Sequence, residues 1–411
     1  MSHSTTTVSG TTATLLLTLC AVGCGDASNT PEDGLRVEID DSAGVTIVEN
    51  DPAATDSRLP WQLGEQPSVS IGSVDSGEPD ELFAVRDAMR LADGRIVIAN
   101  LGSSELRVFN ADGSHAGTWG RRGEGPDEFV GGPTAVALWP ADSIAAPDPG
   151  GARLSLFDLD GNHGRNVALD ASLSNVIDLL PGGKMVASSV LVEPETNGSA
   201  DLVRYITEWA LLDADGTQLA TLGEFLYTED WTIRGPDGSV EGSSPHPFGR
   251  RTSTAVWGEF VAIGVQDSYE IKAFAADGSL VRIVRRSGDP GSPTREDMDA
   301  LVDRRVGGLP DEARTQAMSM LRDMPPVESY PAFAEIVADR VGYLWVLDYR
   351  MFGEGDPVWT VFDPEGRIQG LVETPPGLDV LEIGEDYVLG LVTDELGVEY
   401  VQLWALDRGA G

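Results

Sequence analysis

Val108-Phe109-Asn110-Ala111-Asp112-Gly113 returns as Leu156-Phe157-Asp158-Leu159-Asp160-Gly161 and again as Leu211-Leu212-Asp213-Ala214-Asp215-Gly216. Further copies are Ala273-Phe274-Ala275-Ala276-Asp277-Gly278 and Val361-Phe362-Asp363-Pro364-Glu365-Gly366, with a degenerate last one at Leu403-Trp404-Ala405-Leu406-Asp407-Arg408-Gly409. Their acidic residues stand 48, 55, 62, 88 and 42 positions apart. Each copy joins an apolar pair to an acidic-Gly dipeptide and a further strand-like stretch. Glycine supplies the positive φ that a tight turn between antiparallel strands requires.

Two more elements keep step with this one. Asp93-Gly94-Arg95-Ile96-Val97-Ile98-Ala99-Asn100 and Val341-Gly342-Tyr343-Leu344-Trp345-Val346-Leu347-Asp348 read as a turn followed by a strand apolar on both faces. Between repeats, Gly77-Glu78-Pro79-Asp80-Glu81-Leu82-Phe83 echoes Gly123-Glu124-Gly125-Pro126-Asp127-Glu128-Phe129. About four short strands per period, with the period lengthened by insertions, define an all-β, six-bladed β-propeller. The last repeat ends one strand short. Residues 68–72 alternate as a strand and are expected to close the last blade, removing an open edge, with residues 45–48 as a further flanking strand. Of the two insertions, 232–251 is rich in Gly, Ser and Pro. The other, 293–326, carries helical periodicity behind a Thr294/Asp297 capping pair, so a small helical hairpin is expected on the ring.

Composition narrows the function. With 28 Lys+Arg against 67 Asp+Glu the net charge is −39, which excludes electrostatic nucleic-acid binding as the main activity. Residues 13–23, ATLLLTLCAVG, form an apolar run of secretory-signal length, too short to span a bilayer. It ends at Ala21-Val22-Gly23-Cys24, which resembles the bacterial lipobox. The n-region carries no Lys or Arg, and the only cysteines are Cys20 and Cys24. The expected organisation is a lipoprotein-type signal peptide over 1–23, lipidation at Cys24, a tether over 24–34 and the propeller over 35–411. That places the protein outside the cytoplasm, in the periplasm or at the cell surface, held to the membrane by its lipid. The mature domain has no thiol for catalysis, disulfides or metal.

The blade elements resemble NHL-type six-bladed propellers. The chain over about residues 40–406 is similar to the six-bladed propeller lipoproteins of environmental bacteria, a largely uncharacterised family. The likeness rests on residues 123–129, Pro247-Phe248-Gly249-Arg250-Arg251, residues 344–349, residues 358–366 and residues 380–390. It implies a fold and an extracytoplasmic place.

Both insertions belong to loops of one face, so a site is expected there. Arg121, Arg122, His246, Arg250, Arg251 and Arg286 flank connections on that face and form a candidate anion funnel, because guanidinium groups bind carboxylate or phosphate in bidentate fashion. The ends of second strands carry a polar ring of Asn100, Asp148, Ser188, Asp267, Asp348 and Asp394. Asp267, Asp348 and Asp394 are candidate calcium ligands, although such residues more often cap their own turns. Trp345, Tyr349 and Trp359 offer either a sugar-stacking surface or packing between blades. No cofactor is otherwise expected. The reading is a binding or scaffold module whose partner is an envelope protein or a small anionic ligand. The alternative is a metal-dependent propeller hydrolase of the gluconolactonase or lactonase type.

Overall fold

The acidic-Gly dipeptides form the turns between the third and fourth strands of successive sheets in the computed structural model. Gly113 has φ of 83° and Gly161 of 86°, and their amides donate to Asn110 and Asp158 at 2.9 and 3.0 Å. A Cβ at Gly161 would lie 2.0 Å from Trp119 Nε1, and one at Gly113 would lie 2.9 Å from Val69. Glycine is needed at both for conformation and for space, since each turn packs on the outermost strand of the preceding sheet.

The structure describes residues 36–409 except 55, 75–78, 190–192, 196–200, 236, 323 and 352–354. The chain divides into Met1–Gly34 and Leu35–Gly411, and every described residue belongs to the second unit. The signal sequence, the tether and Cys24 lie outside the described residues. Among the described residues, no helix is long and apolar enough to cross a membrane.

The described strands form six sheets. The first runs Val85–Arg90, Ile96–Asn100, Glu105–Phe109, His115–Trp119, and the second Ala137–Trp139, Ser143–Asp148, Arg153–Asp158, His163–Ala168. The third is built on Asn175–Leu180, Lys184–Ser188, Leu202–Leu212 and Gln218–Arg234; the fourth on Thr252–Trp257, Phe260–Val265, Glu270–Phe274 and Leu280–Arg286. The fifth runs Glu335–Ala338, Leu344–Leu347, Val358–Phe362, Ile368–Glu373, and the sixth starts with Asp379–Ile383, Tyr387–Thr393 and Glu399–Asp407. Val69–Ile71 then pairs with Glu399–Asp407, matching Val401 with Ile71 and Leu403 with Val69. Residues 45–48 do not flank this sheet as expected. Val45–Asn50 pairs in parallel with Leu280–Arg286 and carries Val37–Ser42 to the edge of the fourth sheet. A hydrophobic alternation marks a strand without naming its partner.

Packing orders the sheets. One apolar cluster joins Val97, Ala99 and Trp119 of the first sheet to Ile144 and Phe157 of the second. Equivalent clusters join second to third, third to fourth, fourth to fifth and fifth to sixth. Another joins Leu389 and Val401 of the sixth to Ile96, Ile98 and Phe109 of the first, closing the cycle. Ile96–Asn100 is buried at every position because alternate residues serve opposite interfaces. Trp345 and Trp359 are fully buried between the fifth and sixth sheets. These two are core, not a sugar-stacking surface, and burial of each such ring contributes about 2–3 kcal/mol.

The first insertion extends the third sheet, and the second packs on that extension. Gln218–Arg234 continues far past its turn, pairs with Leu202–Leu212 as far as Trp231, and folds back as Val240–Pro245. The helical segment forms α1 (Arg295–Val306) and α2 (Asp311–Arg322). Thr294 caps α1 reciprocally with Asp297. Leu301, Val302, Val306 and Leu321 pack on Trp231, Ile233 and Phe248, so the hairpin sits on the strand extension.

Candidate functional site

The first strands of all six sheets line one cavity of about 920 Å³, with walls from residues 86–89, 134–138, 177–179, 254–256, 335–342 and 380–382. It lies at the point the cyclic packing makes common to every sheet. In three of these strands an acidic residue follows a valine by two positions: Val85-Arg86-Asp87, Val176-Ile177-Asp178 and Val380-Leu381-Glu382. All three acids fall at a register shift in the pairing with the second strand. Such a bulge re-aims the side chain, and Asp87, Asp178 and Glu382 all border the cavity. Glu335 of the fifth sheet borders it as well.

Burial governs their electrostatics. Asp87 accepts from the amides of Ala88 and Val136 at 2.8 and 2.9 Å, yet desolvation pushes its carboxyl up to about 7, aided by Glu382 and Asp178. Desolvation also pushes Asp178 to about 6, with Thr254 opposing. It raises Glu335 to about 7, where Arg251 opposes and Asp379 adds to the rise. Glu382 is raised by burial despite its ion pair with Arg340, the Arg90 amide at 2.7 Å and the Tyr387 hydroxyl at 3.0 Å. Asp339, also in the wall, is saturated by the amides of Val341 and Tyr343, Trp345 Nε1 and Arg408. Two polar atoms in the wall, Asp178 Oδ2 and Thr134 Oγ1, are shielded and have no hydrogen-bond partner in the protein. Apolar wall between these groups comes from Ala88, Val136, Ile177, Ile336 and Val337.

The expected anion funnel is not assembled, because its arginines are engaged elsewhere. Arg121 pairs with Glu128 at 2.8 Å, and Arg122 reaches the Gly102 carbonyl at 3.5 Å. Arg250 grips Glu229 at 2.7 Å and lies 3.3 Å from Asp267. Arg286 bonds Asp348 and Thr360, both at 2.7 Å, and stacks 3.9 Å over Tyr269. Arg251 differs, since its charge acts on Glu335 in the cavity wall. His246 is buried; its Nε2 lies 2.9 Å from the Pro325 carbonyl and its Nδ1 accepts from the Phe248 amide. Those bonds assign a neutral Nε2–H imidazole that staples its loop to the segment after α2.

The candidate calcium ligands are likewise separate. Asp267 takes both nitrogens of Arg204, at 3.1 and 2.6 Å, Asp348 takes Arg286, and Asp394 caps its own turn through the amides of Leu396 and Val398. Among the described residues, no group of three or more His, Cys, Asp or Glu side chains is placed to hold a metal. The polar ring acts on loops. Asn100 accepts from the Phe83 amide at 2.9 Å, while Asp148 accepts from Val130 and Gly131 at 2.8 and 2.9 Å. Arg107 donates to the Pro79 and Glu81 carbonyls, and Arg153 to those of Gly125 and Glu128. The echo between the two inter-repeat segments therefore encodes one clamp made twice.

The cavity acids do not belong to the polar ring at the second-strand ends and lie instead in the first strands. The thrice-repeated Val-x-acid pattern inside an otherwise apolar first strand is the signal that points to them.

These features define a propeller-type β protein with an axial cavity. No family model matches the chain, and no curated protein matches it. Among solved structures it is similar to a member of the DUF4221 family from Bacteroides vulgatus, at 10% identity over 85% of this chain and 99% of that one, with a TM-score of 0.47. A Bacteroides fragilis protein inferred to be exported aligns at 12% identity over 89% and 100%, with a TM-score of 0.46. A gluconolactonase from Xanthomonas campestris aligns at 15% identity over 85% and 90%, with a TM-score of 0.35. With TM-scores below 0.5, the architecture rests on the chain's own sheets and their packing.

Proposed function

We propose that the chain is a six-bladed propeller, closed by its N-terminal strand, that works outside the cytoplasm as a lipid-anchored binding module. Its ligand site is the axial cavity. The observation that carries this reading is a cavity of about 920 Å³ walled by all six first strands, in which Asp178 Oδ2 and Thr134 Oγ1 lack protein partners. A buried polar atom without a partner costs about 1–3 kcal/mol, which a ligand or water recovers. An anion is the poorer occupant, because Arg121, Arg250 and Arg286, three of the arginines expected to bind one, already hold carboxylates. The test is a melting-point screen of small cations, anions and polyols on the wild type and on Ala135→Phe, which narrows the cavity. A stabilising compound whose effect vanishes in the variant supports the reading, and compounds that stabilise both equally refute it. Mass spectrometry of the membrane fraction checks the anchor, since a lipid on Cys24 shifts the N-terminal peptide and Cys24→Ala removes that shift.

A second reading has its own observation. Phe83, Val130 and Leu396 are 69%, 41% and 83% exposed on loops of the first, second and sixth sheets. Gly102 lies under Phe83, and Glu399 bonds the Val85 amide at 2.8 Å, so neighbouring loops meet here. An apolar surface of this kind suits an envelope protein partner. Cross-linking in cells from a cysteine at position 396 tests it, with loss of the adduct in Phe83→Ser as the expected result.

A further inference from the structure

Once the pairs made within the protein are assigned, the cavity has an unbalanced charge. Glu382 has Arg340 and Asp339 has Arg408. Asp87, Asp178 and Glu335 form no ion pair with a described cation. Asp87 faces the carboxylates of Glu382 and Asp178 and two backbone amides. Asp178 faces Thr254. Glu335 faces Arg251 at longer range and Asp379. Around Glu382 stand Arg340, Arg90 and Tyr387. Arg86 is the remaining cation in the wall, and its side chain is exposed.

A low-dielectric cavity with excess carboxylate focuses a field that draws cations. Ionising these acids in place is opposed by desolvation and by one another. Two arrivals relieve that opposition, a proton on each carboxyl or a positive ligand among them. Asp178 borders the cavity and its Oδ2 has no hydrogen-bond partner in the protein, so a turn of this carboxyl toward the cavity gives an ammonium N–H its acceptor. The acids come from the first, third, fifth and sixth sheets, with apolar wall between them, so they do not converge on one point as ligands of a single metal ion do. A flexible cation with separated ammonium groups and a methylene spacer matches that spacing of charge and apolar surface.

We propose that the axial cavity binds a small organic ammonium cation of the linear di- or polyamine class, and that protons compete with this ligand for Asp87, Asp178 and Glu335. The inference rests on the binding-module reading and names that site's ligand class and control. Binding transfers protons from the carboxyls to solvent. Occupancy therefore rises with pH across the range in which the empty site titrates, near 6 to 7 for Asp178, Asp87 and Glu335.

The experiment is isothermal titration calorimetry of the full chain in detergent, with putrescine and spermidine as probes and citrate and sorbitol as counter-probes. It is run at about pH 5 and about pH 8 in buffers of different ionisation enthalpy, which counts protons released. Expected are spermidine binding at least about tenfold tighter at the higher pH, net proton release near neutrality, and a further loss of about tenfold in Asp178→Asn. Glu335→Gln serves as a second conservative variant, and near-UV circular dichroism checks that both are folded. Amine affinity that ignores pH, or that both folded variants retain, overturns the proposal. Cavity-dependent binding of citrate or sorbitol, lost in Ala135→Phe, overturns the ammonium assignment while leaving the cavity as the ligand site. Amine binding unchanged in Ala135→Phe removes both.

Discussion

Two regions of this molecule bring charge out of water, and they do so in opposite ways. At the outer part of the third and fourth sheets, Glu229 is buried between Arg250 and Arg204, at 2.7 and 3.5 Å, and Asp267 joins the same arginines. Both of these carboxylates meet a guanidinium. In the axial cavity, Asp87, Asp178 and Glu335 are desolvated without such a partner, and their carboxyls rise to about 7, 6 and 7. The first arrangement locks an insertion onto the ring. The second leaves an electrostatic demand inside a hollow, which is the condition for a ligand site.

The largest expected effect breaks the paired region. Glu229→Ala removes the buried carboxylate between Arg250 and Arg204, leaving them only the more exposed Asp267 of this network, and should lower stability by about 3 kcal/mol, read as a fall in the urea midpoint. Should the midpoint hold, the network is no lock and the contrast fails.

The cavity should respond with the opposite sign. The Asp178 carboxyl rises from its ordinary 3.8 to about 6 in the fold. Its protonated form is favoured by folding, so that stability is fully present below about 3.8 and lost as pH rises through about 6. Asp178→Asn should therefore gain about 1–3 kcal/mol near pH 8 and nothing near pH 3.5, measured by urea unfolding at both. A loss at pH 8 would mean that the carboxylate has a cationic partner and belongs with the first region.

Arg286→Ala sharpens the contrast at smaller scale. It removes the Asp348 pair and the contact over Tyr269 and should cost about 1–2 kcal/mol. The smallest effect belongs to Arg121→Ala. Its pair with Glu128 is exposed, with 65% of the arginine side chain open to solvent, so the melting temperature should stay within error while salt has equally little effect.

Much of the fold was legible locally. Asp160-Gly161 announces a turn whatever surrounds it, and the apolar run at 96–99 announces a strand buried on both faces. The missing strand of the last repeat could be counted, and Val69–Ile71 occupies that place beside Glu399–Asp407. The partner of 45–48 could not be read, since alternation is the same whichever edge a strand joins. The candidate site was less legible. Arg121, Arg250 and Arg286 have the chemistry of an anion site, but whether a guanidinium is available depends on which carboxylate folds beside it. Asp87, Asp178 and Glu382 lie 91 and 204 residues apart in succession and became one group only when first strands converged.

The sequence by itself determined the turn chemistry, the repeated strands and the acidic character, because none of these depends on which distant residues meet in the fold. Tertiary structure alone decided which charges were neutralised and which were left facing the cavity. Ion pairing falls off over a few ångströms, and desolvation depends on everything packed around a group.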